Sequence, residues 1–164
     1  MGGMVGMHLA HDAPDRVDRL VLCNTAARIE PPGIWDQRIE AVRAGGMVAV
    51  EESVLGRLFS PEFRKSNPAI VEVARQALLA NPVDGYAGAC AAVRDFDFGV
   101  RLEAIKAPTL VIAGRQDQAT PIASAGFLKD RIPGSRLVVL EAAHLSNLEQ
   151  PEEFTAALLS FLGP

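Results

Sequence analysis

The chain has 164 residues, of which 49% are hydrophobic, and its formal net charge is −4. This length suffices for a domain with a substantial core, because a folded chain of about 150 residues buries about 70% of its surface. The acidic balance argues against a nucleic-acid-binding protein, which would need clustered Lys and Arg side chains to bind phosphates. No apolar stretch approaches the length of a membrane span.

The two cysteines, Cys23 and Cys90, each lie among apolar residues and lack the spacing of a metal-binding motif. So few cysteines in a chain of this length do not indicate a disulfide framework. We therefore expect a protein of the reducing cytoplasm, without a metal site.

The first half of the chain predicts one strand and several helices. A helix is expected over residues 3–12 and should end near Pro14. Residues 19–26 (RLVLCNTA) form a short apolar run typical of a strand inside a parallel sheet. In residues 31–81 apolar side chains recur at helical spacing between glycines and prolines, which predicts helices without a strand. A further helix is predicted over residues 83–95.

The second half predicts two more strands, at residues 108–117 (PTLVIAGRQD) and 135–144 (SRLVVLEAAH). Between them, Thr120 is expected to cap a helix that has Pro121 at its first position. The last helix is predicted over residues 151–162, where two glutamates suit the positive end of the helix dipole. Strands and helices that alternate in this way indicate the α/β class, with about three parallel strands flanked by helices.

A carboxylate and an imidazole follow two of the predicted strands, Asp117 the second and His144 the third. The carboxyl ends of parallel strands meet at one edge of the sheet, where α/β proteins carry their chemistry. The order acid then histidine matches the last two members of the Ser-Asp-His triad of α/β-hydrolases. There the imidazole takes the proton of a serine hydroxyl, and the carboxylate fixes the ring's tautomer and stabilises its charged form. We therefore predict that His144 and Asp117 are catalytic.

For four other residues we expect roles outside the acid–base pair. Asp95 and Asp97 lie between a helix and a loop, so we expect them to be solvated or to cap a helix. Ser146 is too close in sequence to His144 to present its hydroxyl to that ring, and a role in a turn fits better. Trp35, the only tryptophan, either packs in the core or lines a substrate pocket under a lid.

Residues 2–26, 108–121 and 142–154 resemble the 3-oxoadipate enol-lactonases, α/β-hydrolases of the β-ketoadipate route of aromatic breakdown. The most specific stretch is AAHLSNLEQP, because other α/β-hydrolases share the histidine but usually not the residues after it. In this family a nucleophile elbow of the form Gly-x-Ser-Met-Gly-Gly precedes the first helix, and residues 1–3 (MGG) match its last three positions. The resemblance therefore implies the C-terminal portion of an α/β-hydrolase fold, beginning just after the nucleophile.

The resemblance also implies hydrolysis of 3-oxoadipate enol-lactone, a small-molecule substrate, to 3-oxoadipate without a metal ion or other cofactor. His144 would act as the base and Asp117 would orient it. Met1 would occupy the position whose backbone N–H belongs to the oxyanion hole. Apart from the resemblance, Trp35 is the candidate residue for contacting the substrate. The substrate's carboxylate has four equal candidate partners: Arg43, Arg57, Arg94 and Arg115.

By the same resemblance, residues 28–82 would form a helical cap between two parts of the α/β core, residues 1–27 and 83–164. The chain alone is expected to be inactive because the serine would lie outside it. An N-terminal fragment carrying the nucleophile is therefore a candidate partner, whereas nucleic acid and membranes are not expected. Two alternatives stay open: another α/β-hydrolase, such as an esterase or a haloperoxidase-like enzyme, and a non-enzymatic fragment that binds a ligand or complements a partner.

Overall fold

A computed structural model describes residues 1–29 and 31–163. Three strands form a parallel sheet in the order β1-β2-β3, with bounds β1 Leu20–Cys23, β2 Thr109–Gly114 and β3 Arg136–Leu140. Every residue of the central strand β2 is buried, as expected for a parallel strand covered on both faces. The predicted α/β class with three parallel strands is confirmed.

Nine α-helices occur in the described residues: α1 Gly2–Asp12, α2 Gly33–Gly45, α3 Glu51–Leu58, α4 Pro61–Ser66, α5 Pro68–Leu79, α6 Val83–Arg94, α7 Ile122–Arg131, α8 Ser146–Glu149 and α9 Pro151–Leu162. Short 3-10 helices cover Pro14–Arg16, Met47–Val50 and Gly99–Ala104. Five α-helices, α2 to α6, therefore separate β1 from β2, as the helical spacing predicts. Among all the helices of residues 1–29 and 31–163, none is long and apolar enough to span a bilayer.

The two faces of the sheet bury different sets of side chains, because successive residues of a strand point to opposite faces. On one face, Val111 and Ala113 of β2 belong to a cluster with buried residues of α1 and α7, such as Met7 and Leu128. On the other face, Leu110 and Ile112 pack with residues of α9, which are Phe154, Ala157, Leu158 and Phe161. The sheet is thus a layer between helices.

Helices α2 to α6 have a hydrophobic cluster of their own. Its buried members are Ile39, Val42, Met47, Val50, Leu55, Phe59, Leu78, Ala87 and Cys90. The last two lie on α6, so α6 packs with the helices that precede it. A separate core is what a cap over the sheet would need, and the division of the chain at residues 27 and 82 stays a prediction.

One predicted helix cap is wrong. The helix after β2 begins at Ile122, its N-cap residue is Pro121, and no side chain caps it. Thr120 instead donates its hydroxyl to Oδ2 of Asp117, 2.7 Å away. The physical reason is that a buried carboxylate needs hydrogen-bond donors more than an exposed helix end does.

The loops that follow β2 and β3 are joined to each other through their backbones. The predicted strands extend to Asp117 and His144, but the observed ones end earlier, at Gly114 and Leu140. Beyond Gly114, the backbone N–H of Arg115 donates to Leu140 O at 2.8 Å, and that of Gln116 donates to Ala142 O at 2.9 Å. The chain segments that carry the acid and the histidine are therefore fixed side by side.

Gly114 permits this close approach because it has no side chain. A Cβ atom at this position would lie 2.2 Å from the carbonyl oxygen of Ala143 and 2.4 Å from that of Ala142. Real Cβ atoms do not come this close to backbone oxygens, so any other residue would push the histidine loop away.

Gly114→Ala is expected to lower the free energy of unfolding by about 1–3 kcal/mol, the usual cost of forcing extra volume into a packed site. Gly126→Ala is the matched control, because a Cβ atom on this residue of α7 meets nothing within 4 Å. The control should raise stability by about 0.5–1 kcal/mol, since alanine favours helix over glycine. Urea unfolding of both variants measures the difference, and equal stabilities would contradict the close approach.

Candidate active site

Asp117 is only 4% exposed, and its carboxylate accepts hydrogen bonds from five donors. Oδ1 accepts the backbone N–H groups of Ala119 at 2.8 Å and Thr120 at 2.9 Å. Oδ2 accepts the Thr120 hydroxyl at 2.7 Å and the side-chain amide of Asn24 at 3.1 Å. The fifth partner of Oδ2 is Nδ1 of His144, at 2.8 Å. The carboxylate is thus fully surrounded by donors.

These contacts decide the ionisation of Asp117. Burial raises the pKa of its carboxyl group, but the hydrogen bond and charge of His144, together with the bonds from Thr120, lower the pKa more. The net result is a pKa below the ordinary value, so the group is a carboxylate at neutral pH. A carboxylate only accepts hydrogen bonds, so Nδ1 of His144 carries a proton, and in the neutral ring Nε2 is an acceptor.

His144 lies in the loop between β3 and α8, and its side chain is 26% exposed. It lines a cavity of about 940 Å³ between the carboxyl ends of the strands and helices α2 and α3. The sequence-predicted pair is therefore brought together, with the acid buried behind a histidine that reaches the cavity. This arrangement can accept a proton at Nε2 and stabilise the imidazolium that results.

Two further site residues were missed or misinterpreted at the level of sequence. Asn24, directly after β1, donates its amide to Asp117 and, at 3.3 Å, to the carbonyl of Ala143. Ser146, predicted to have only a turn role, is fully buried and donates its hydroxyl to Oδ1 of Asn24 at 2.6 Å. Asn24 follows a strand just as Asp117 and His144 do, and this position is the signal that could have found it.

Asn24 has a backbone φ of 45°, in the left-handed region, the only such value for a non-glycine residue in the described chain. Asparagine tolerates this conformation better than most residues. The backbone N–H of Asn24 still donates to Ile112 O of β2 at 2.8 Å. The turn therefore leaves the sheet at once and directs the amide towards Asp117.

Helices α3 and α4 are anchored to the histidine loop and to α8, the helix that follows it. Ser60, between them, donates its backbone N–H and its hydroxyl to the two carboxylate oxygens of Glu149, at 2.8 and 2.7 Å. The backbone N–H of Leu145 donates to Leu58 O at 3.0 Å. The helical segment is therefore held directly beside His144.

The other candidate site residues divide into those that line the cavity and those that do not. Met1 and Trp35 line it, and the indole N–H of Trp35 is the buried side-chain donor without a partner in the described residues. Of the four arginine candidates, Arg57 alone is among the lining residues described. Arg94 pairs with Asp36 and Asp95, Arg115 pairs with Glu141, and Arg43 is exposed outside the cavity. No group of three His, Cys, Asp or Glu side chains in the described residues could hold a metal ion.

The family model for the α/β hydrolase fold matches residues 1–151. The chain belongs to the α/β hydrolase family. An acid and a histidine on adjacent loops at the carboxyl ends of parallel strands agree with this family.

Several known hydrolases are similar to this α/β hydrolase. It is 39% identical to 3-oxoadipate enol-lactonase 2 of Acinetobacter baylyi over 158 aligned residues. These residues make up 96% of this chain and 59% of that protein. The structure of the enol-lactonase from Burkholderia xenovorans LB400 matches with a TM-score of 0.96 at 38% identity, over 99% of this chain and 62% of that one. A hydrolase from Pseudomonas aeruginosa matches with a TM-score of 0.95 at 44% identity, over 99% and 62% of the two chains. The chain thus spans about three fifths of these relatives.

Asp117→Asn is expected to lower the free energy of unfolding at pH 7 by about 1–3 kcal/mol, because donors that now face the carboxylate lose an acceptor. The pKa of Asp117 is lowered by folding. Its contribution is therefore complete above the ordinary value of about 3.9 and is lost as the pH falls through the folded-state pKa. Urea unfolding at pH 7 and in acid should show a deficit that shrinks on acidification.

The control for this experiment is Asp130→Asn, because Asp130 is exposed and pairs only with Lys129 in the described chain. Its effect should stay within about 0.5 kcal/mol at either pH. A stability deficit for Asp117→Asn that does not depend on pH would contradict a pKa of Asp117 that folding lowers.

Asn24→Gly and Ser146→Ala are expected to be non-additive, because each variant removes the same hydrogen bond. A double-mutant cycle on the free energy of unfolding should give a coupling of about 1 kcal/mol. Glycine is chosen at position 24 because it adopts the positive φ without strain. Ser66→Ala, whose exposed hydroxyl bonds to α4, should be additive with Asn24→Gly. A zero coupling for the first pair would contradict the network.

Proposed function

We propose that this chain carries the acid–base pair of a hydrolase that opens 3-oxoadipate enol-lactone to 3-oxoadipate in aromatic catabolism. The observation that carries the proposal is the hydrogen bond from Nδ1 of His144 to the buried carboxylate of Asp117, 2.8 Å long, at the wall of a large cavity. The likeness to enol-lactonases supports the choice of substrate.

In the first step, Nε2 of His144 accepts the proton of a serine hydroxyl, and the serine oxygen attacks the lactone carbonyl. Asp117 holds the ring in the tautomer that leaves Nε2 free and stabilises the positive charge. Collapse of the tetrahedral intermediate breaks the ring C–O bond, and the imidazolium returns its proton to the enol oxygen. The enol then ketonises.

In the second step, His144 removes a proton from a water molecule, which attacks the acyl-enzyme ester. The new intermediate releases the serine, whose oxygen takes the proton back from the ring. Every proton transfer of the ring opening and of the ester hydrolysis therefore passes through one nitrogen atom, and no metal or organic cofactor takes part.

The nucleophile is a serine outside residues 1–164, on the turn that the resemblance places directly before Met1. The support is the match of residues 1–3 (MGG) to the last three positions of the elbow motif. In the whole hydrolase, the backbone N–H of Met1 would be one oxyanion-hole donor, and Met1 lines the cavity. Trp35 would form part of the substrate-binding wall. A fragment that carries this serine is the proposed partner, and the cytoplasm is the proposed location.

Two other functions use the same site. An esterase or a haloperoxidase-like enzyme would use the same acid–base pair, so hydrolysis of aryl esters in preference to the enol-lactone would favour that class. A binding or complementing fragment would form a stable complex with a serine-bearing segment without needing turnover. The conversion of enol-lactone separates these functions.

The 164-residue chain is expected to show no measurable lactonase activity, whereas a chain joined to the serine-bearing N-terminal segment of an enol-lactonase should hydrolyse the lactone. In that joined protein, His144→Ala should lower kcat by about 10²–10⁴-fold, the usual contribution of a general base. The measurement is the rate of enol-lactone consumption. His11→Ala, on α1 and outside the described cavity wall, is the matched control and should leave the rate unchanged. Equal rates for the two variants would exclude the proposed role of His144.

A further inference from the structure

Four arginines contribute to the cavity wall, and they differ in their partners. Arg28 is paired with a carboxylate at 3.3 Å, and Arg131 with another at 2.9 Å. In the part of the chain that the structure describes, neither Arg38 nor Arg57 has a carboxylate within ion-pair distance. Arginine stays protonated in proteins, so the described cavity wall contains two positive charges that pair with no carboxylate of the described residues.

These two arginines line the same cavity, and their positive charges repel each other. Arg38 is on α2 and Arg57 on α3, and both side chains are partly buried. Burial, followed by the charge of Arg38, lowers the pKa of Arg57, as expected for neighbouring cations that repel each other. The guanidinium carbon of Arg38 lies 4.9 Å from the centre of the Trp35 ring, and this cation–π contact fixes its position.

Two partly desolvated cations are stabilised when an anion binds between them. A carboxylate suits this position, because its two oxygens accept hydrogen bonds from the planar fork of a guanidinium. We propose that Arg38 and Arg57 bind the carboxylate of a substrate whose ester carbonyl lies at His144. This inference rests on the proposed function, since it assigns the second functional group of the same substrate.

The cavity relates this carboxylate site to the catalytic pair. His144 and both arginines line one cavity of about 940 Å³, with the histidine on a strand-end loop and the arginines on the helical segment. A lactone that carries a carboxylate side chain would therefore contact both parts of the structure at once. The arginines would select anionic esters over neutral ones, because a neutral ester would leave the two cations unpaired.

The inference is tested by binding to the 164-residue chain, which does not depend on turnover. The probes are monomethyl adipate, which has one ester and one carboxylate, and dimethyl adipate, which has two esters and no charge. Calorimetric titration should give a Kd for the half-ester at least about tenfold lower than for the diester. Arg38→Met and Arg57→Met should each raise the Kd of the half-ester about tenfold and leave that of the diester unchanged.

Arg43→Met is the matched control, because Arg43 is an exposed residue of α2 outside the described cavity wall. It should not alter the Kd of either probe, and Arg57→Lys should retain part of the preference because it keeps the charge. Equal binding of both probes by the unmodified chain, or equal weakening of both by Arg57→Met in a variant with an unchanged thermal melt, would overturn the inference. If the 164-residue chain prefers the half-ester but the chain joined to a serine-bearing segment does not hydrolyse the lactone, that result would count against the proposed function alone.

Discussion

The site depends on one constraint, which is that a buried carboxylate must be supplied with hydrogen-bond donors. An ionised group as buried as Asp117 would be too costly to keep in the fold without partners. Its donors come from three places in the chain: its own loop, Asn24 after β1, and His144 after β3. Satisfying the charge therefore brings the three strand-end loops together. The contact that holds these loops is also the one that orients the imidazole, so stability and chemistry share an interaction.

Further contacts of the histidine loop and of α8 hold His144 in place. Gly114 lets the histidine loop pass directly over the end of β2, and the N–H groups that follow it bond to that loop. On the opposite side, Glu149 binds the turn at Ser60 through both of its oxygens. His144 is thereby placed between the sheet and the helical segment by groups other than Asp117. The ring is held in a defined position, as its proposed role as a general base requires.

The sequence predicts the parts of this structure that depend on local pattern. Short apolar runs identify all three strands, and their order identifies the carboxyl-end loops on which Asp117 and His144 lie. The roles of Asn24, Thr120 and Ser146 are not local, since each follows from contacts that are far apart along the chain or from the burial of a charge. Thr120 in particular has a sequence typical of a helix cap, and only the buried carboxylate nearby explains its different role. Likewise, an arginine in sequence carries no sign of whether a carboxylate neutralises it.

The position of the helical segment has a consequence for how such proteins diverge. Helices α2 to α6 lie between residues 28 and 97, which form an isolated antiparallel bridge. The backbone N–H of Phe98 also donates to Ala27 O at 2.8 Å, so the two ends of the insertion are fixed side by side. Its length and sequence can change while the sheet, the acid loop and the histidine loop keep their geometry. Selection can thus change the helical wall of the cavity while the paired Asp117 and His144 side chains stay in place.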